Sequence, residues 1–158
     1  MNAQDAKKLA LELMEQRGLL TQGWEFGFDS SKRRFGQCRC RRKQINLSFD
    51  LVCLNNESQV RDTILHEIAH ALCPVGVNHG WEWKQKAYEV GCSSNRCYSS
   101  DVVTPEKKYI GTCPVCKSTL ARHKRHSSRL ACTRCCRQHN GGRWDERFVF
   151  VWSINSNV

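Results

Sequence analysis

Apolar positions spaced three and four residues apart predict three amphipathic helices. The first lies between a cap at Asn2 and a stop at Gly18, and its apolar face contains Ala6, Leu9, Ala10, Leu13 and Met14. The second begins near possible caps at 55–58 and stops at Pro74, with an apolar face of Val60, Ile64, Leu65, Ile68, Ala69 and Leu72. The third extends from Gly80 to Val90 and ends at Gly91.

The pattern between the first two helices alternates instead, as is typical of strands. Trp24, Phe26 and Phe28 are separated by single residues, and Asn46 stands between Ile45 and Leu47. Residues 23–49 are therefore predicted to form two or three strands with a basic turn or hairpin between them. Residues 91–108 are polar and rich in Ser, and they contain Pro105, which indicates a linker. We predict an α+β fold with two domains, 1–104 and 105–158.

Composition restricts the class of protein. The chain has 158 residues, of which 40% are hydrophobic, enough for a packed core. It contains no apolar run of 18 residues, and its first residues lack the basic-then-apolar order of a secretory signal. We expect an intracellular protein without a membrane partner, cytoplasmic or associated with the nucleoid. In that reducing environment, its eleven cysteines favour metal ligands or free thiols over disulfides.

The formal charge of +10 is concentrated in two blocks. Residues 32–43 contain seven Lys and Arg and no acidic residue, and residues 107–143 contain ten and none. Tyr109 and Trp144 in or beside the second block offer stacking faces. This segregation predicts a surface that binds nucleic acid, with DNA as the expected partner, while a solvated basic face stays the alternative.

The stretch HEIAH at 66–70 predicts a zinc site on the second helix. Residues i and i+4 lie one above the other on a helix, so His66 and His70 present two imidazoles to one point. Glu67 lies slightly off that line, where its carboxylate reaches a water on the metal rather than the metal itself. The spacing therefore predicts Glu67 as a general base.

The third protein ligand must follow the break in the helix. His79 is the best candidate, since it comes after the turn CPVGVN and directly before the next helix. Glu89 and, less well placed, Glu82 are the alternatives. Three protein ligands leave one position open for a water whose pKa falls to about 7, so peptide-bond hydrolysis is the predicted reaction. The donor that stabilises the oxyanion is not identified by the sequence; Tyr88 and Tyr109 are candidates.

A second metal site is predicted in the C-terminal domain. Two C-x-x-C pairs separated by fifteen residues have the spacing of a zinc ribbon, and they place four ligands at Cys113, Cys116, Cys132 and Cys135. Four thiolates close a tetrahedral site, so this zinc is predicted to be structural. Cys136 is an alternative fourth ligand. Most of the remaining cysteines are predicted to be core or surface thiols, with pairing or metal binding of 38/40 or 92/97 as the alternative.

The order of these parts resembles the SprT-like family of zinc metallopeptidases, which includes the Spartan proteases of DNA–protein crosslinks. The resemblance extends from about Trp24 to Trp152, through FGQCRCRRKQINLSFDLV, VRDTILHEIAHALC, NHGWEWKQKAYEVGC and the basic ribbon. It implies a small zincin-like protease domain with three histidine ligands at 66, 70 and 79 and Glu67 as acid and base. It also implies a second zinc in the ribbon and makes DNA-linked proteins plausible substrates. Lys117 and Cys136 depart from the glycine often found at that position of a knuckle.

Two other functions compete with a DNA-associated protease. One is a non-catalytic, zinc-containing protein that binds nucleic acid or regulates other proteins, and Glu67 argues against it because a structural site needs no base. The other is a general peptidase whose charge only aids solubility; salt-sensitive DNA binding would count against it. A monomer is expected.

Overall fold

The computed structural model of the chain describes residues 1–93, 101–125 and 129–156. The chain divides into two compact units, Met1–Pro105 and Glu106–Val158, each with one three-stranded sheet. The fold is mixed α/β with small sheets. Across the described ranges, no helix has both the length and the apolar character needed to cross a membrane.

The first unit contains the three predicted helices and three strands in the predicted strand region. Its elements are α1 (Ala3–Gln16), β1 (Glu25–Asp29), β2 (Gly36–Arg39), β3 (Gln44–Ser48), α2 (Phe49–Leu54), α3 (Glu57–Leu72) and α4 (Trp81–Val90). The sequence pattern missed α2. This helix has only six residues and buries only Leu51 and Val52, so it leaves no periodic signal.

The sheet of the first unit has the order β1-β3-β2. The central strand β3 pairs in parallel with β1 and antiparallel with β2, and its Ile45 and Leu47 are fully buried. Strand β2 is an edge of this sheet, and it packs beside α3. This arrangement places the backbone of an edge strand next to the helix that carries the HEIAH sequence.

Helix α3 has strong signals at both ends. It begins with a capping box, in which the Asn56 side chain accepts from the backbone of Gln59 and the Gln59 side chain accepts from the backbone of Asn56. It ends at Leu72, and its C-cap residue Cys73 directly precedes Pro74, which cannot continue a helix. The buried residues Val60, Ile64, Leu65, Ile68 and Ala69 fix the helix in the core and so determine which way its last two turns face.

The second unit contains β4 (Tyr109–Thr112), β5 (Thr119–Arg122), α5 (Thr133–His139) and β6 (Val151–Ile154), with an antiparallel sheet of order β5-β4-β6. Its buried core consists of four cysteines and one aromatic residue: Cys113, Cys132, Cys135, Cys136 and Phe148. A core of this composition removes little apolar area from water. Apolar burial alone therefore supplies little of the folding free energy of this unit.

Candidate metal centres

Three histidines of the first unit converge on one point. His66 and His70 lie on α3, and the Nε2 atom of His79 is 3.0 Å from Nε2 of His66 and 3.1 Å from Nε2 of His70. A tetrahedral zinc ion with Zn–N distances of about 2.0–2.1 Å has ligand nitrogens about 3.3 Å apart. The three nitrogen atoms therefore have the spacing of ligands around one zinc-sized ion.

A tight loop brings His79 back to the end of α3. The backbone N–H of Val77 donates to the carbonyl of Pro74 at 3.2 Å, and Gly76 has a φ of 97°, a conformation that favours glycine. The alternative ligands lie elsewhere: Glu82 and Glu89 line a separate cavity together with Trp81 and Pro74. In the described ranges, His79 is thus the residue that the chain brings to the two helical histidines.

The indole of Trp83 packs behind all three imidazoles. This side chain is fully buried on α4, and its ring centroid is 4.7 Å from that of His66, 5.3 Å from His70 and 4.6 Å from His79. Its Nε1 has no hydrogen-bond partner among the described residues. The sequence pattern predicts that Trp83 faces inward, but it does not predict that the ring supports the whole ligand set.

Glu67 is buried between α3 and strand β2, with 7% of its surface exposed. Burial raises the pKa of its carboxyl to about 7, although a hydrogen bond from the backbone of Cys38 and the charge of Arg34 lower it. Because Gly36 has no side chain, the Glu67 side chain can occupy the space directly beside its backbone. A carboxyl group with a pKa near neutrality can accept a proton and return it in the same reaction.

Burial also acts on the histidines. It is the main reason why the pKa values of His66 and His70 fall to about 4, and the neighbouring histidine charges lower them further. Neutral imidazole is the form that binds a metal ion. Both side chains are therefore held in the protonation state that ligation requires.

The three histidines and Glu67 open into one cavity of about 750 Å³. Its other polar lining includes Arg33, Arg34, Gln37 and Asn78. Tyr88, one of the two tyrosines considered above as the oxyanion donor, is 82% exposed and is not among the lining residues. Tyr109, the other candidate, belongs to the second unit.

The four ribbon cysteines form the second group of possible ligands. The Sγ atoms of Cys113 and Cys135 are 3.8 Å apart, and those of Cys116 and Cys132 are 3.6 Å apart. Tetrahedral zinc with Zn–S distances of about 2.3 Å has sulfurs about 3.8 Å apart, whereas a disulfide bond measures about 2.05 Å. The spacing therefore fits a metal ion, and Cys136 is not a member of this group.

Lys117 and Ser118, the two residues that follow Cys116, form part of the turn around the first cysteine pair, here called the first knuckle. The hydroxyl of Ser118 lies 3.0 Å from Sγ of Cys116 and 3.5 Å from Sγ of Cys132, and it is the main cause of the lowered pKa of Cys116, about 6. Lys117 has a φ of 58°, the left-handed conformation for which glycine is preferred. This non-glycine residue is tolerated there, and its Nζ donates to the carbonyl of Pro114.

The other two cysteine pairs considered above, 38/40 and 92/97, differ in what the structure shows of them. The Sγ atoms of Cys38 and Cys40 are 3.5 Å apart beside the histidine site. Cys92 is buried and contacts the carbonyl of Asp62, while Cys97 lies outside the described residues.

The chain was compared with models of protein families. The model of the SprT-like family matches residues 5–103, more than half of the chain. The matched segment contains His66, Glu67, His70 and His79 and ends before the ribbon cysteines. A metal site in the ribbon is therefore supported by the spacing of its four cysteines and not by the family match. A search of the curated proteins found no match.

Proposed function

The chain belongs to the SprT-like family, and from this premise we propose that it is a zinc-dependent metallopeptidase that hydrolyses peptide bonds in DNA-associated proteins. The observation that carries the proposal is the convergence of three imidazole nitrogens, 3.0 and 3.1 Å apart, beside the buried carboxyl of Glu67. A structural metal site needs ligands, but it has no use for an adjacent base.

His66, His70 and His79 would hold the catalytic zinc. When bound, zinc supplies Lewis-acid chemistry, which acidifies water and polarises a peptide carbonyl. Glu67 takes a proton from the attacking water and delivers it to the leaving amine. The backbone of Cys38 holds the carboxylate in place for both transfers, since it donates a hydrogen bond to it.

A second, structural zinc would be held by Cys113, Cys116, Cys132 and Cys135. All four sulfurs lie within 4.8 Å of one another, so four thiolates leave no open position for a substrate. This metal would therefore stabilise the second unit and take no part in hydrolysis.

DNA is the proposed partner because positive charge is concentrated near both metal groups. Residues 32–43 carry seven Lys and Arg, and Arg33 and Arg34 of this segment line the cavity of the histidine site. The ribbon segment 107–143 carries ten more. Binding to phosphates would bring an intracellular, monomeric protease to proteins bound or crosslinked to DNA.

The test measures zinc content and cleavage of a DNA-binding protein, with and without single-stranded DNA. The variants are wild type and Glu67→Gln, which keeps the shape of the side chain and removes the base. We expect two zinc ions per chain in both proteins and cleavage by the wild type alone, increased by DNA at low salt. Two zinc ions, salt-dependent DNA binding and no cleavage under any condition would instead support a non-catalytic zinc protein that binds nucleic acid.

A further inference from the structure

Two thiols lie in contact beside the histidine site, and they are not ligands of either proposed metal. The Sγ atoms of Cys38 and Cys40 are 3.5 Å apart, and both residues are partly buried. Both also line the cavity that contains the three histidines and Glu67. Small molecules that enter this cavity can therefore reach the pair.

The backbone conformation between Cys38 and Cys40 favours the formation of a disulfide bond between them. In an extended strand, residues i and i+2 are about 6.6 Å apart at Cα, near the upper limit of about 6.8 Å for a disulfide. Arg39 departs from this conformation, with a φ of −106° and a ψ of 77°. The resulting bend resembles an inverse γ-turn and shortens the span between its neighbours.

Each cysteine also touches the catalytic helix. The backbone N–H of Cys38 donates to the carboxylate of Glu67, and the thiol of Cys40 donates to the carbonyl of His70 at 3.8 Å. A covalent change at this pair therefore acts directly on the groups that orient the proposed base and one metal ligand.

We propose that Cys38 and Cys40 form a modification site at which a small-molecule disulfide, such as oxidised glutathione, produces an intrachain disulfide. The thiolate of one cysteine attacks the reagent and releases one glutathione thiol, and the other cysteine then attacks the mixed disulfide and releases the second. Two protein thiols are oxidised, and one disulfide is reduced to two glutathione molecules.

Peptide mapping tests the proposal without any measurement of activity. The zinc-loaded full chain is treated with increasing oxidised glutathione, quenched in acid and digested with trypsin, which cuts after Arg34, Arg39 and Arg41. The two cysteines then leave on separate peptides, 35–39 and 40–41, which stay joined only through a disulfide. Cys53, an exposed thiol on α2, serves as the internal reference.

We expect the joined peptides to appear before Cys53 becomes glutathionylated. In Cys38→Ser, the second thiol of the pair is missing, so Cys40 should accumulate as the glutathione mixed disulfide. Loss of the ribbon zinc, a link from Cys40 to Cys73, or full modification of Cys53 while Cys38 and Cys40 stay reduced would overturn the proposal.

The consequence for hydrolysis rests on the proposed function. Formation of the disulfide shortens the distance between the two Sγ atoms from 3.5 Å to about 2.05 Å. It also shifts strand β2, in which the backbone of Cys38 donates a hydrogen bond to Glu67. We expect a loss of cleavage that dithiothreitol reverses, with two zinc ions retained. A joined peptide pair with unchanged cleavage would refute this coupling. A reduced wild type without any cleavage would instead count against the peptidase.

Discussion

The backbone of Gly36 lies directly against the side chain of Glu67. A Cβ atom at Gly36 would lie 2.5 Å from Oε1, 2.7 Å from Cγ and 2.9 Å from Cδ of that glutamate. These separations are far below van der Waals contact, so no other residue fits unless the carboxylate moves. The edge strand β2 thus has a glycine at the position where the proposed base must lie flat against it.

Gly36→Ala is therefore predicted to displace the base and leave the metal in place. A displacement of about 1 Å is expected to lower kcat/KM about a hundredfold, and overpacking should cost about 1–3 kcal/mol of unfolding free energy. Cleavage kinetics, zinc content and thermal unfolding check this. Gly80→Ala is the matched control, because a Cβ there meets nothing within 4 Å. Normal cleavage by Gly36→Ala would show that the position of Glu67 is not critical.

The identity of the third ligand can be decided by zinc counting. His79→Ala should reduce the zinc content from two ions per chain to one, since two histidines alone bind zinc weakly. Glu89→Ala and Glu82→Ala should keep both ions, because these side chains line a different cavity. Glu89 already pairs with Lys86 on the exposed face of α4. One zinc in Glu89→Ala and two in His79→Ala would reverse the assignment.

The helices and the candidate ligands could be predicted because their signals are local. Asn56, Pro74 and the apolar stripe of α3 are close together in sequence, and so are the two histidines one turn apart. The pairing of β1 with β3 could not be predicted, since strand partners depend on contacts between distant segments. For the same reason the contact between Gly36 and Glu67 could not be predicted.

In the ribbon, the candidate ligands could be predicted from the sequence, but the helix and the backbone conformation could not. The cysteine spacing predicted the four possible ligands, and their sulfurs do come together. Helix α5 left no apolar periodicity, because its buried residues are Cys135 and Cys136 rather than large aliphatic residues. The left-handed backbone of Lys117 was also missed, since a lysine gives no signal for it.

Trp83 is predicted to control the affinity of the histidine site for zinc. Trp83→Leu removes the surface against which all three imidazoles pack, so zinc affinity should fall about 10–100-fold, the usual effect of losing a group that orients metal ligands. Trp83→Phe keeps a ring there and should lose less. Competition with a chromophoric chelator measures both. Trp24→Leu, a buried tryptophan in another part of the core, controls for general destabilisation; an equal loss of affinity in that variant would rule out a specific role.

Cys135 and Cys136 are adjacent and both buried, yet only one is predicted to matter for the ribbon metal. Cys135→Ser removes a sulfur that lies 3.8 Å from that of Cys113, so we expect loss of one zinc and unfolding of the second unit. Cys136→Ser should keep two zinc ions, with only a modest loss of stability from placing a hydroxyl in a small core. Zinc content and the near-ultraviolet circular dichroism of Trp144 and Trp152 report the two effects. If Cys136→Ser releases the metal and Cys135→Ser retains it, the register of the second knuckle is shifted by one residue.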